Sequence, residues 1–383
     1  MRYSNRGMKR RGLVATAVLI AASQPAAASE TRGYVVSWWF VATHTVADGS
    51  DCPNGINPRT TEAFARVLKE QGYPQAEIEK RVIEAAEKGQ GGGGYHQIMS
   101  TRGRDKDGKP VNTYENPERV ADPKIKLSQA KVAYGFNLDG KVSSEDFTDP
   151  ETGEKGIDNQ YYRALGCLDT YRATVGVSRP AIPEFKWDVT REHAPAWLIE
   201  ISGIDDYQND DQVEVSWHLA TTAAIKDASS GVRRDMTMMV DAGSRMKVRL
   251  PAKIQDGWLL TDQVDELKLI SDPYFGPGYD FKRARVRIKF NEDGSIRGIL
   301  GGYLDYLKAY WGEGGSYGST WEYFMGGDLP GLYYAMKKSA DADPDSNGQN
   351  KSISSTWWFE GVPAFVTHPN RAEAQLSDAR KSP

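Results

Sequence analysis

Cysteine is scarce in this chain of 383 residues: there are two, Cys52 and Cys167. A CxxCH haem attachment site and a CxxC zinc or redox pair are therefore excluded. Histidine is almost as rare. His44, His96, His193, His218 and His368 show no HxH or HxxxH spacing, so no transition-metal site is written in local sequence. Beyond the N-terminus no apolar run approaches the 18 or more residues that a membrane span requires, which gives an expectation of no membrane span. Positive charge is in deficit too, with 48 Lys and Arg against 52 Asp and Glu, which argues against nucleic acid as a partner.

Catalytic motifs are missing or out of place. Five glycines between Gly89 and Gly94 lack the GxxxxGK[ST] of a phosphate loop and read as a linker. Gly314-Gly315-Ser316-Tyr317-Gly318 matches GxSxG, with Asp328 and His368 following in order, but no strand leads into it and no βα alternation surrounds it. The strongest carboxylate candidate is Glu322, between Trp321 and Tyr323, with Asp328, Glu313 or Asp305 as a partner across a sugar-binding groove.

What is present begins with an export signal at residues 1–28. Arg2, Arg6, Lys9, Arg10 and Arg11 precede an apolar stretch from Leu13 to Ala22, and Ala26-Ala27-Ala28 forms the cleavage site. The expected location is periplasmic or extracellular. Without those five basic residues the chain carries 43 basic and 52 acidic groups, a net charge of −9. In an oxidising compartment Cys52 and Cys167 are expected to pair.

Ten Trp, nineteen Tyr and thirty-eight Gly favour strands and loops over helices. The fold class read from the pattern is α+β, mainly β: an antiparallel β-sandwich with short N-terminal helices and long loops. Residues 29–190 read as a helical and loop region. In it Asn57 and Pro58 open one helix, Pro74 opens another, and Asp158 caps a short third one ending at Leu165. Residues 191–303 alternate at period two, as in Trp197, Ile199 and Ile201 or Ala284, Val286 and Ile288, and supply the sandwich. Arg283, Arg285, Arg287 and Lys289 line the other face of one strand and read as a solvated sheet face paired with neighbouring acids rather than as a site for an anionic ligand. Residues 304–370 form an aromatic and glycine-rich segment, and 371–383 a disordered tail.

One acidic stretch has a metal-loop spacing. With Asp139 at position 5, Asn137 falls at 3, Gly140 at 6, the Lys141 carbonyl at 7, Ser143 at 9 and Asp146 at 12. At residues 137–147, NLDGKVSSEDF, the chain resembles a dockerin or EF-hand type of calcium loop. That resemblance implies calcium as a cofactor, bound weakly at about 10⁻⁴ to 10⁻³ M because Gly135 at position 1 brings no carboxylate. Asp343, Asp345 and Asn347 ahead of Gly348 repeat the D-x-D-x-N-G start, with Ser354 at position 12.

These readings converge on an exported, calcium-stabilised binding or structural protein that recognises a glycan or a partner protein. Two alternatives stand beside it: a secreted polysaccharide-active enzyme of glycoside hydrolase type using paired carboxylates, and a non-catalytic accessory subunit of an exported enzyme.

Overall fold

Two apolar stretches at opposite ends of the chain, Glu30–Val41 (β1) and Asn350–Thr367 (β8), pair antiparallel, and that pairing closes the main sheet on itself. In the computed structural model, which describes residues 29–173, 179–270 and 278–369, six strands lie between them. They are Trp197–Ile204 (β2), Asn209–Leu219 (β3), Val248–Gln255 (β4), Trp258–Thr261 (β5), Tyr279–Phe290 (β6) and Ile296–Asp305 (β7). Each pairs antiparallel with the next in chain order, so the sheet is an up-and-down barrel of eight strands. The mainly β, antiparallel reading stands, but the sandwich does not. Period-two alternation reports that one face of each strand is buried and is the same for a sandwich and a barrel. Only the β1–β8 seam, between segments more than 300 residues apart, distinguishes them.

An eight-stranded barrel has an interior just wide enough to be filled by side chains. Here aromatic rings fill it. Trp39 stacks on Trp357 at 5.3 Å and meets Trp197, Trp217 and Tyr279 edge-on at 5.1, 6.1 and 5.6 Å. Such bulk needs space opposite, and a Cβ at Gly298 would lie 2.5 Å from the Phe359 ring. The barrel draws strands from all three stretches into which the sequence pattern divides.

The first helices form a satellite. Thr60–Glu70 (α1), Gln75–Lys88 (α2) and Tyr95–Ser100 (α3) bury Phe64, Leu68, Ile78, Tyr95 and Met99 among themselves. Asn57 does not cap α1. Its side chain accepts from the Lys126 amide and donates to the Lys126 and Cys167 carbonyls, tying three loops together. Nor is the glycine cluster a linker: a Cβ at Gly92 or Gly93 would strike the α2 backbone at 1.9 or 2.1 Å. Gln160–Leu165 (α4) is capped by Asn159 rather than Asp158. Ala181–His193 (α5) packs on β1, and Tyr306–Glu313 (α6), Gly318–Met325 (α7) and Leu329–Ser339 (α8) fill the connection from β7 to β8.

The chain from about residue 128 to 158 crosses the outside of β6 and β7 as a roof. The basic ladder on β6 pairs with neighbouring acids, as expected, and it is the roof that buries Arg287. Arg287 pairs with buried Asp149 at 2.9 Å, and Arg283 and Lys282 pair with Asp343 at 3.1 and 2.9 Å. Phe136 packs under Arg285 and Arg287. Burial pushes the Asp149 carboxyl up, yet Arg287 and backbone amides outweigh it and hold it below the ordinary carboxylate range.

Cys52 and Cys167 are joined by a disulfide with Cα atoms 5.8 Å apart. The bond ties the loop after β1 to the end of α4 and closes a span of 115 residues. Replacing both cysteines by serine is expected to lower unfolding free energy by about 4 kcal/mol, measured by urea titration, because so long a loop then regains its freedom in the unfolded chain.

Candidate functional site

Strand β1 does not keep a single alternation. Its register with β8 shifts between Val36 and Trp38, leaving Ser37 as an extra residue. The bulge lets Val36 and Trp39 both face inward and turns Trp38 and Phe40 outward. Opposite them on β8 stand Glu360 and Trp358, since Trp38 pairs with Glu360 and Phe40 with Trp358. The seam of the barrel thus carries three aromatic rings and a carboxylate on its outer face.

Neighbouring segments raise walls around that patch. Tyr134, from the roof, meets Trp358 edge-on at 5.1 Å and His44 at 5.8 Å. On the other side Arg179, Pro180 and Glu184 come from the start of α5, and Arg179 lies 3.9 Å over the Trp38 ring while pairing with Glu360 at 2.8 Å. Together they enclose a groove of about 740 Å³. Trp38, only 3% exposed, is its covered floor, and Phe40, Tyr134 and Trp358 are half-buried walls. Burial lowers the affinity of His44 for a proton, which leaves the ring neutral and able both to donate and to accept.

The patch continues around the barrel. Register pairs place Trp258, Lys289, Arg297, Glu360 and Trp38 in one row across β5, β6, β7, β8 and β1. The row spans about 19 Å at the usual strand spacing. Lys289 and Arg297 lie 4.7 and 5.5 Å from the Trp258 ring, and Arg297 lies 5.6 Å from Trp358. Charged side chains therefore stand between aromatic rings along a track that is half-exposed up to its end at buried Trp38.

Behind the seam, α5 covers the barrel mouth, where Trp187, Trp197, Tyr279 and Trp357 surround a cavity of about 40 Å³. Buried Glu313 accepts from the Tyr171 hydroxyl at 2.5 Å and pairs with Lys186 at 3.3 Å. A space of that size suits a water molecule rather than a sugar.

None of the residues expected to ligate calcium lines the groove. Asn137 and Asp139 accept the amides of Gly140 and Lys141 at 2.7 and 2.8 Å, and the Lys141 carbonyl accepts from the Asn137 side chain. Asp146 turns back on Ser143, accepting its amide and its hydroxyl. The Lys141 side chain also stands 3.6 Å from the Asp139 carboxylate. In the other loop Asp343 is shared by Lys282, Arg283 and the Ser352 hydroxyl, and Asp345 is paired with Lys351 and holds the Asn347 amide. Basic side chains there occupy the place a cation would take. Among the described residues, neither loop contributes to a group of three carboxylate or imidazole ligand atoms within 4.8 Å.

The carboxylates considered for hydrolysis are enclosed. Glu322 lies on α7, is 0% exposed, and accepts from Arg102 at 2.9 Å, the Tyr114 hydroxyl at 2.6 Å and the Leu329 amide at 2.9 Å. Asp328 caps α8 and holds Arg66 and Arg102 at 2.6 and 2.9 Å. Burial pushes both carboxyls up. For Glu322 burial prevails over Arg102, whereas the two arginines hold Asp328 low. Arg102 and Tyr114 come from a polar stretch rich in Asp, Lys, Pro and Asn. Asp305 caps α6 on the exterior, and the Gly314–Gly318 backbone joins α6 to α7 with no strand before it.

Asp158, in the roof, is pushed up to about 7 by burial, opposed by the Leu138 amide and aided by like charge on Asp139 and Asp341. The folded chain thus holds this proton more firmly than the unfolded chain. Its contribution to stability is complete below the ordinary carboxylate pKa and is lost as pH rises through about 7. Asp158→Asn is expected to reduce the loss of stability between pH 5 and pH 8 by more than about 1 kcal/mol, read from urea midpoints at each pH. An unchanged pH slope would show that Asp158 is ionised in the fold throughout. Set against protein-family models, curated proteins and solved structures, the chain matches none of them.

Proposed function

We propose that this protein is an exported binding protein for an extended glycan, seated along the barrel seam. The observation that carries the reading is the row Trp258, Lys289, Arg297, Glu360 and Trp38, running into the groove walled by Phe40, Trp358 and Tyr134. A sugar ring has apolar faces and a hydroxylated rim. It is matched by aromatic faces with donors and acceptors at their edges, and Arg179, Glu184, Glu360 and His44 supply both kinds at the groove. A track of about 19 Å suits several linked units better than one.

The disulfide is consistent with an oxidising compartment, and the basic N-terminal stretch that reads as an export signal lies outside the described residues. No helix among the described residues is long and apolar enough to cross a membrane. A binding role is favoured over hydrolysis because Glu322 and Asp328 are saturated by arginine, tyrosine and backbone donors.

Affinity electrophoresis against neutral and uronic-acid-containing polysaccharides tests the reading. At least one is expected to retard the protein without any release of reducing ends. Trp358→Ala and Trp258→Ala are each expected to weaken that binding about tenfold, equivalent to ~1.4 kcal/mol, at unchanged melting temperature. Binding that ignores both substitutions, or no retardation across the panel, removes the seam as the site.

A further inference from the structure

The last strand does more than close the barrel. Past Ala364, β8 leaves the β1 register and crosses over the outside of the sheet, where Ala364–Thr367 pairs in parallel with Met236–Met239. The crossing passes directly above Gly33, whose missing side chain makes room: a Cβ there would lie 2.6 Å from the Ala364 carbonyl oxygen and 2.7 Å from Val366. Beneath the crossing, Val35, Leu198, Ala220, Met236 and Met238 form a small apolar layer. At the end of the crossing strand is His368.

His368 arrives over two barrel strands. Its Nε2 lies 3.1 Å from Oε2 of Glu200 on β2, and its ring stands edge-on to that of His218 on β3, with centroids 5.3 Å apart. Ligand atoms of all three residues lie within 4.8 Å of one another, and no other such group occurs among the described residues. His218 Nε2 is shut off from solvent and has no hydrogen-bond partner. A buried ring nitrogen left in that state costs free energy unless something ligates it.

We propose that Glu200, His218 and His368 form a zinc site that clamps the end of β8 to the barrel wall. Two imidazoles and one carboxylate are a donor set for zinc or a similar divalent transition ion rather than for calcium or magnesium, which take oxygen alone. Zinc bonds of about 2.0–2.1 Å set tetrahedral ligand atoms about 3.3 Å apart. The His368 to Glu200 separation already matches, and a small rotation of the His218 or His368 ring brings in the third donor. The fourth position faces solvent, since His368 is half-exposed. Arg249, a positive charge near His218, is engaged by Glu214 at 3.5 Å. The site is separate from the glycan groove and does not depend on it.

The test uses the untagged full chain, freed of metal with EDTA and dialysed, then titrated with ZnCl₂ against a chromophoric zinc chelator. One equivalent is expected to bind at micromolar or lower concentration and to raise the melting temperature. His218→Ala and His368→Ala are each expected to weaken binding about 100-fold or more, and Glu200→Gln about tenfold or more. His368 lies beyond the end of its strand, so His368→Ala tests the site without endangering the core. Co²⁺ added to the wild type is expected to give the visible bands of a tetrahedral centre, absent in both histidine variants. Less than one equivalent of zinc bound, or binding and cobalt bands unaffected by His218→Ala and His368→Ala, would overturn the proposal and leave Glu200 and His368 as a simple ion pair.

Discussion

Backbone pairing between β1 and β8 is the constraint on which the rest of the structure depends. Without it the sheet would have two open edges, each presenting unpaired amides and carbonyls. With it, the strongest aromatic segments of the chain, Trp38–Phe40 and Trp357–Phe359, are brought face to face. Each segment holds more bulk than one face can take. Inward places go to Trp39, Trp357 and Phe359, and the remaining rings have to go outside, where they become the groove. The Ser37 bulge makes this partition possible, because strict alternation would have turned either Val36 or Trp39 away from the core.

Charge is organised by the same closure. A barrel this small has a strongly curved outer face, and the arginines of β6 would stand on it in water if nothing covered them. The roof segment covers them with Asp149 and Glu151, and the loop before β8 adds Asp343. Removing Arg287 and Asp149 from water is costly, and their attraction repays it only with close geometry and further donors. The 2.9 Å contact is therefore supplemented by the amides of Glu151 and Thr152. Acid-rich loops in this chain have two possible neutralising partners, a metal ion or the basic strand. For Asp149 and Asp343 the structure shows the second.

Much of this was legible in the chain, and the limits are specific. Period-two alternation located the inward faces of β2, β3, β4 and β6, and the two cysteines predicted their own bond. The proline at 74 marked the start of α2. What could not be read is what depends on distant pairing. Nothing local to Trp38 says that it faces outward, since Trp39 and Phe40 beside it are equally apolar and the bulge is visible only against β8. Arg102 and Tyr114 sit in a run of Asp, Lys, Pro and Asn that resembles any surface loop, and their burial is dictated by Glu322 more than 200 positions later. The five histidines likewise carry no spacing signal, because Glu200, His218 and His368 meet only once the last strand has crossed the first.

That crossing gives β8 two unequal halves. From Trp357 to Gly361 it is hydrogen-bonded on both sides, to β7 and to β1, so opening it means breaking the barrel. Beyond Ala364 it pairs with a single four-residue strand, and local opening there requires far less. Trp358, at the groove, and His368 are ten positions apart, about 30 Å along an extended strand, so a ligand at one does not touch the other. Ordering the weak half by a ligand bridging β2 and β3 would therefore stabilise the crossing layer over Val35 and Leu198 while leaving the seam, already fixed by its own hydrogen bonds, as it is. The strand that closes the fold is rigid where it carries the aromatic groove and dependent on added contacts where it ends.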